Sequence, residues 1–242
     1  MRWVRDVSGR LPQRPHFDPG EIDREVEGRV ASFLRRRHGT VRFPLTTNDL
    51  TVLLEQETSD LDLYADLSSD RAEGMTEFLP AARPRVRIAR ELSEDPTREH
   101  RLRTTLAHEL GHVWLHAFLW SRHEIQSAGL PPARCLRSAI VGAPTGDWLE
   151  WQAGCACGAV LIPFDALQEI VRQERAAHAF PVVPGTAAWD SLLDRVQYAF
   201  GVSREAARVR LSQRGLFAGV APRRRGTADK RRAYRASLLG AR

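Results

Sequence analysis

His108-Glu109-Leu110-Gly111-His112 constrains this 242-residue chain more than any other stretch, because its two histidines can cooperate only on an α-helix. Residues four apart on a helix lie one above the other, so His108 and His112 can offer two imidazole nitrogens to one metal ion. Glu109, one position on, points to the edge of that face, where its carboxylate can reach the attacking water rather than the metal. The HExxH spacing thus supplies two ligands and a base, which is half of a tetrahedral zinc site. The third ligand, the groove and the substrate have to come from elsewhere in the chain.

Composition bounds what can surround that helix. With 43% hydrophobic and 27% charged residues the chain reads as a globular protein with one good-sized core, or a core and a small appendage. No apolar run reaches bilayer length and Met1–Asp6 lacks the apolar core of a signal peptide, so a cytoplasmic protein with no membrane partner is expected. Cys135, Cys155 and Cys157 make no disulfide framework, which fits a reducing compartment. The net charge of +6 is unevenly placed: residues 214–242 hold nine basic residues against Asp229, or +8, which leaves −2 for residues 1–213. The excess sits in a Gly/Ala/Arg-rich tail, 218–242, expected to be disordered. It serves equally well as a weak nucleic-acid contact through phosphates or as a solvated tail.

Residues 1–18 hold prolines and arginines without an apolar period and read as a flexible arm. Asp18-Pro19-Gly20-Glu21 then opens a helix over 19–38, with Ile22, Val26, Val30, Phe33 and Leu34 on its buried face. A shorter helix follows over 48–56. The period changes to alternation between Leu61 and Ala89, giving strand candidates at Leu61–Ala65, Thr76–Leu79 and Arg85–Ala89. No long helix interrupts them, so the fold class is α+β with a small, partly antiparallel sheet. Val86, Arg87 and Ile88 are the expected substrate-binding residues, holding an extended peptide by edge pairing.

The helix carrying His108 is expected over 96–118. Gly111 costs it about 1 kcal/mol against alanine, which implies a close neighbour packed there. Residues 121–146 read as a long loop, functional or disordered. Asp147 starts an apolar, small-residue helix that breaks at Pro163 and contains one carboxylate, Glu150. Two readings of Glu150 stand side by side: a buried acid with a partner such as a metal, or the far half of a capping box with Asp147. His116, eight residues after His108, falls near the site as a group touching a ligand. Further on, a helical pair over 186–217 turns at Gly201-Val202-Ser203 and carries Arg204, Arg208 and Arg210 outward. It is either a packing or docking pair or a helix-turn-helix reader of DNA.

The run Thr104-Thr105-Leu106-Ala107-His108-Glu109-Leu110-Gly111-His112-Val113-Trp114-Leu115-His116, followed by Glu150-Trp151-Gln152-Ala153 and Val160-Leu161-Ile162-Pro163, resembles the ImmA/IrrE family of bacterial metallopeptidases. The resemblance covers roughly residues 20–217. It implies a zincin-like metallopeptidase domain at 19–180 and a metal centre of the HExxH-plus-Glu, gluzincin-like kind, with Glu150 as third ligand. It further implies zinc as cofactor, with manganese acceptable to the same donors, and a metalloendopeptidase with Glu109 as base. The implied substrate is a protein, a helix-turn-helix transcriptional repressor cleaved in a stress response. The rival expectation is a non-catalytic regulatory module that binds a repressor or DNA through the C-terminal helices and tail. Two positions depart from the family pattern: Gly154 stands where asparagine is common and Ala156 where phenylalanine is. The metzincin pattern is excluded by Leu115 and Phe118.

Overall fold

Alternating and helical apolar periods both become structure here, but the first element formed has neither. In the computed structural model, which describes residues 1–80, 82–120, 134–137, 147–177 and 182–216, strand β1 (Arg2–Arg5) pairs antiparallel with β2 (Gln13–His16). This hairpin corrects the expectation of a flexible arm. The Asp6 carboxylate organises its loop by accepting from the Ser8 N–H at 2.9 Å, the Ser8 hydroxyl at 2.7 Å and the Leu11 N–H at 3.1 Å. Its apolar anchor is remote in sequence. Leu11 packs in a small cluster with Phe78, Leu119, Trp120, Trp148 and Leu149.

Helix α1 (Pro19–His38) starts on the capping box of Asp18 and Glu21 and stops at Gly39, whose φ of 74° few side chains tolerate. Thr46 and Asp49 cap α2 (Thr47–Glu57) in the same way. Three strands follow: β3 (Asp60–Ala65), β4 (Gly74–Glu77) and β5 (Arg85–Ala89). Together with β6 (Arg134–Arg137) they make a mixed sheet in the order β3-β5-β4-β6. β3 runs parallel to β5, and β4 is antiparallel to both its neighbours, so the sheet is partly antiparallel as expected. β6 lies inside the stretch expected as a loop. The remainder of that loop falls outside the described residues.

A single turn, α3 (Arg90–Ser93), and a 3-10 turn at Pro96–Arg98 lead into α4 (Glu99–Trp120), the helix of the HExxH. Antiparallel helix packing against α5 (Trp148–Leu161) explains Gly111. A Cβ there would lie 2.9 Å from the Ala156 Cβ, 3.0 Å from the Ala153 carbonyl oxygen and 3.1 Å from the Ala153 Cα. Glycine lets the two helices approach until backbone meets backbone, which brings their polar side chains into reach of one another. Among the described residues no single helix is long and apolar enough to cross a membrane.

Helices α6 (Phe164–Ala177), α7 (Ala187–Phe200) and α8 (Arg204–Gln213) are the last elements among the described residues. Gly201 in the left-handed region and Ser203 as cap make the turn between α7 and α8. The pair does not stand apart: Trp189, Leu192, Val196, Ala207 and Leu211 belong to the same buried cluster as Ile22, Leu106 and Val160. Arg210 is the correction. Two residues at about 100° each place it on the side of the helix nearly opposite Arg208. There it is 2% exposed, donating to the Ile162 carbonyl at 3.1 Å and pairing with Asp23 at 3.0 Å and Glu27 at 3.3 Å on α1. Loss of water, reinforced by Asp23 and opposed by the Phe164 N–H and Arg210, pushes the Glu27 carboxyl up to about 7. The buried Arg103 of α4 donates to the carbonyls of Leu45, Phe200 and Gly201, so the helix of the HExxH is tied to the end of α7. The tail at 218–242 lies outside the described residues.

Candidate metal centre

The close approach of α4 and α5 puts three ligand-type side chains at one point. His108 Nε2 lies 3.0 Å from Glu150 Oε2 and 3.2 Å from His112 Nε2, and His112 Nε2 lies 3.3 Å from Glu150 Oε1. One proton cannot satisfy three atoms that converge in this way, whereas one cation can. Zinc bonds of about 2.0–2.1 Å in a tetrahedron separate their donors by about 3.3–3.4 Å, so the donor set fits such an ion. Asp147 caps α5 alone, accepting from the Leu149 N–H at 3.0 Å, while Glu150 turns toward the imidazoles. Burial acts to raise the Glu150 carboxyl, but hydrogen bonds and charge from His108 and His112 outweigh it and hold the group well below the usual carboxylate range. The ligand side chains differ in access: His108 and Glu150 keep 10% and 15% of their surface exposed, His112 only 1%.

Glu109 is buried beside this set, and strand β4 positions it. The Thr76 hydroxyl donates to Glu109 Oε2 at 2.6 Å. The carboxylate also occupies the space a side chain at Gly74 would need, since a Cβ there would come within 2.5 Å of Oε1. Neither Thr76 nor Gly74 was singled out from the sequence. The available signal was two small residues in an otherwise alternating strand.

The expectation for Val86, Arg87 and Ile88 is overturned. β5 is hydrogen-bonded to β3 on one side and β4 on the other, so it has no edge to offer a peptide. Val86 and Ile88 are fully buried. Alternation reports which face of a strand is wet, not whether its edge is free. The strand beside Glu109 is β4, and its other edge is taken by β6.

His116 lies in contact with a ligand: its Nδ1 is 3.1 Å from His112 Nδ1, and its Nε2 is 3.0 Å from Gln152 Oε1. Burial, followed by the neighbouring imidazole of His112, pushes His116 well below the ordinary histidine value, so it is neutral. At the family departure Gly154, an added Cβ would meet nothing within 4 Å, so the position faces open space and no neighbour depends on its side chain. Ala156 is the small neighbour that Gly111 requires. Cys155 and Cys157 are buried thiols outside any disulfide, Cys157 donating to the Thr104 carbonyl at 3.4 Å, and burial pushes Cys155 up to about 12. They ligate nothing with the three site residues.

The model of the IrrE N-terminal-like domain, peptidase family M78, matches residues 61–212, from β3 through α8. The chain belongs to this family. No curated protein and no solved structure matches it. As a member of the M78 family the chain carries a metallopeptidase-type domain, and among the described residues His108, His112 and Glu150 form the group that could hold a metal ion. The match spans both sides of the boundary expected near residue 180, in keeping with the shared core of α7 and α8.

Proposed function

We propose that this M78 member is a zinc-dependent endopeptidase that hydrolyses a peptide bond in a protein substrate. The observation that carries the reading is the convergence of His108, His112 and Glu150 with Glu109 fixed beside them by Thr76. When bound, zinc supplies Lewis acidity toward water and the scissile carbonyl, and manganese suits the same donors. The chain's own residues do the rest. Glu109 takes the proton of the attacking water and delivers it to the leaving amine nitrogen. The Thr76 hydroxyl, by holding Oε2, sets the carboxylate's plane for that transfer. His108, the more exposed imidazole, and Glu150 border the approach.

The substrate in this reading is a helix-turn-helix repressor, as the family resemblance implies. The C-terminal helices are assigned to packing rather than DNA reading: Arg204 faces Asp190 and Asp194, Arg208 faces Glu205, and Arg210 is buried on Asp23. Cleavage of a co-expressed repressor, scored by mass spectrometry beside metal content, tests the proposal. Glu109→Gln is expected to keep its zinc and lose about 10²- to 10⁴-fold in rate. Full-rate cleavage by that variant would remove Glu109 from its role, and a stable complex without cleavage by the wild type would favour a regulatory module.

A further inference from the structure

The ring nitrogen of His112 that faces away from the other ligands begins a chain of hydrogen bonds ending in the N-terminal hairpin. His112 Nδ1 meets His116 Nδ1 at 3.1 Å, His116 Nε2 meets Gln152 Oε1 at 3.0 Å, and Gln152 Nε2 donates to the Pro15 carbonyl at 2.9 Å. His116 and Gln152 are fully buried, so no water substitutes along the path. The direction of every proton follows from the far end. A backbone carbonyl only accepts, so the Gln152 amide must turn its NH₂ to Pro15 and its oxygen to His116. His116 Nε2 therefore carries a hydrogen and donates. Its Nδ1 is then the bare nitrogen and accepts from His112 Nδ1–H, so the nitrogen of His112 left to bind a metal is Nε2, which is aimed at His108 and Glu150. The reverse order would set oxygen against oxygen at Pro15 and put a proton on the nitrogen that must ligate. The Trp148 ring, edge-on to His116 at 5.6 Å and 87°, holds the plane of the middle imidazole.

We infer that Gln152 is a positioning residue of the metal centre, and that through His116 it locks His112 in the tautomer that binds metal, with the β1–β2 hairpin as anchor. The inference rests on the metal centre proposed above. Two further contacts seat the hairpin on the start of α5. Arg10 makes a two-pronged pair with Asp147 at 2.7 and 3.0 Å, and the Arg14 guanidinium lies 5.5 Å over the Trp148 ring. Pro15 lies outside the residues that match the family, so the anchor is supplied by this chain's own N-terminal segment. The chain of bonds contains no carboxylate. It orients His112 without adding negative charge behind it, unlike the carboxylate-backed histidines of many zinc sites.

Long-range ¹H–¹⁵N correlation on the full chain, labelled at histidine, reads the proton order directly. The zinc-loaded protein should show His112 protonated at Nδ1 and His116 at Nε2; His116 protonated at Nδ1 or at both nitrogens would overturn the inference. Gln152→Leu, which removes both bonds, should lower zinc affinity about 10- to 100-fold in chelator competition. Gln152→Glu, which still accepts from His116 but sets a carboxylate oxygen against the Pro15 carbonyl, should retain the His116 proton at Nε2 while losing the anchor on the hairpin. Unchanged affinity in Gln152→Leu would also overturn the inference, and if that variant fails to fold, the wild-type spectrum decides. A wild type that takes up no zinc would sink the metal centre itself. The same spectrum of the metal-free protein would still read the order, because none of the three bonds needs the ion.

Discussion

Replacing Gly111 by alanine should weaken this protein, although the same change in an exposed helix would strengthen it by about 1 kcal/mol. The added Cβ would stand 2.9 Å from the Ala156 Cβ, 3.0 Å from the Ala153 oxygen and 3.1 Å from the Ala153 Cα. Two of those atoms are backbone and cannot rotate away, so α5 must retreat from α4 by a few tenths of an ångström. Overpacking costs about 1–3 kcal/mol, and with two backbone contacts at 3.0 and 3.1 Å this site falls at about 2–3, so after the gain of about 1 kcal/mol in helix propensity a net loss of about 1–2 kcal/mol remains. The retreat matters beyond stability, because Glu150 sits one turn before Ala153 on the same helix and moves with it. Urea unfolding in the presence of a chelator should report the stability loss, and zinc competition should report weaker binding in the folded variant. Adding Ala156→Gly removes the nearest contact but leaves the two backbone ones, so the double variant should recover only part of both. A Gly111→Ala protein as stable as the wild type, with the same zinc affinity, would refute the argument that backbone contact at Gly111 sets the ligand geometry.

Other consequences can be checked with equal economy. Gly74→Ala would place a Cβ 2.5 Å from Glu109 Oε1 and 2.8 Å from Thr105 Cγ2. It should cut kcat at least about tenfold with zinc content unchanged, since it moves the base and not the ligands; a wild-type kcat would show that β4 does not position the carboxylate. Arg210→Met should cost about 3 kcal/mol in urea unfolding, because the partly buried Glu27 loses its guanidinium and Asp23 is left to Arg214, at 3.1 Å; a loss below about 1 kcal/mol would contradict that. Glu27 should make stability fall as pH rises. Its carboxyl sits at about 7 in the folded chain against an ordinary 4.5, so between those values the folded state keeps a proton that the unfolded state has released. The advantage of Glu27→Gln over the wild type should therefore grow across that window and level off above it, by about 2 kcal/mol. That is less than the bare shift, because the side chain keeps 21% of its surface in water. An advantage that stays constant through the window would remove Glu27 as the titrating group.

What could be read in advance was what short-range geometry dictates. The i, i+4 histidines, the caps at Asp18, Asp147 and Ser203, and the breaks at Gly39 and Pro163 each depend on neighbours within a turn or two, and each lies where expected. Even Gly111 announced a close neighbour, though not which one. What stayed hidden depends on partners far along the chain. Alternation at Val86–Ile88 identified the strand and its buried face, but strand order is decided by long-range pairing, and β5 became an inner strand. The hairpin has no core of its own, so nothing in residues 1–16 marked it apart from the loop-forming Asp6. Arg210 looked like one more surface arginine until α1 supplied its two acids. Gln152 is not among the candidate site residues read from the sequence, yet its two hydrogen bonds reach different elements.

The pairing of Arg210 with Asp23 spans 187 positions, and that of Gln152 with Pro15 spans 137. Such separations impose an order on biosynthesis. When α1 leaves the ribosome, its carboxylates at 23 and 27 have no guanidinium to meet, and burying them unpaired would be costly. The helix must wait with its acids in water until α8 has been made, and the metal-binding face must wait likewise for α5 to reach the hairpin. Closure therefore comes late and joins the earliest helix to the last one described, as expected of contacts with long loops to close. A nascent chain halted before residue 210 should leave α1 open to proteases, and the finished chain should protect it.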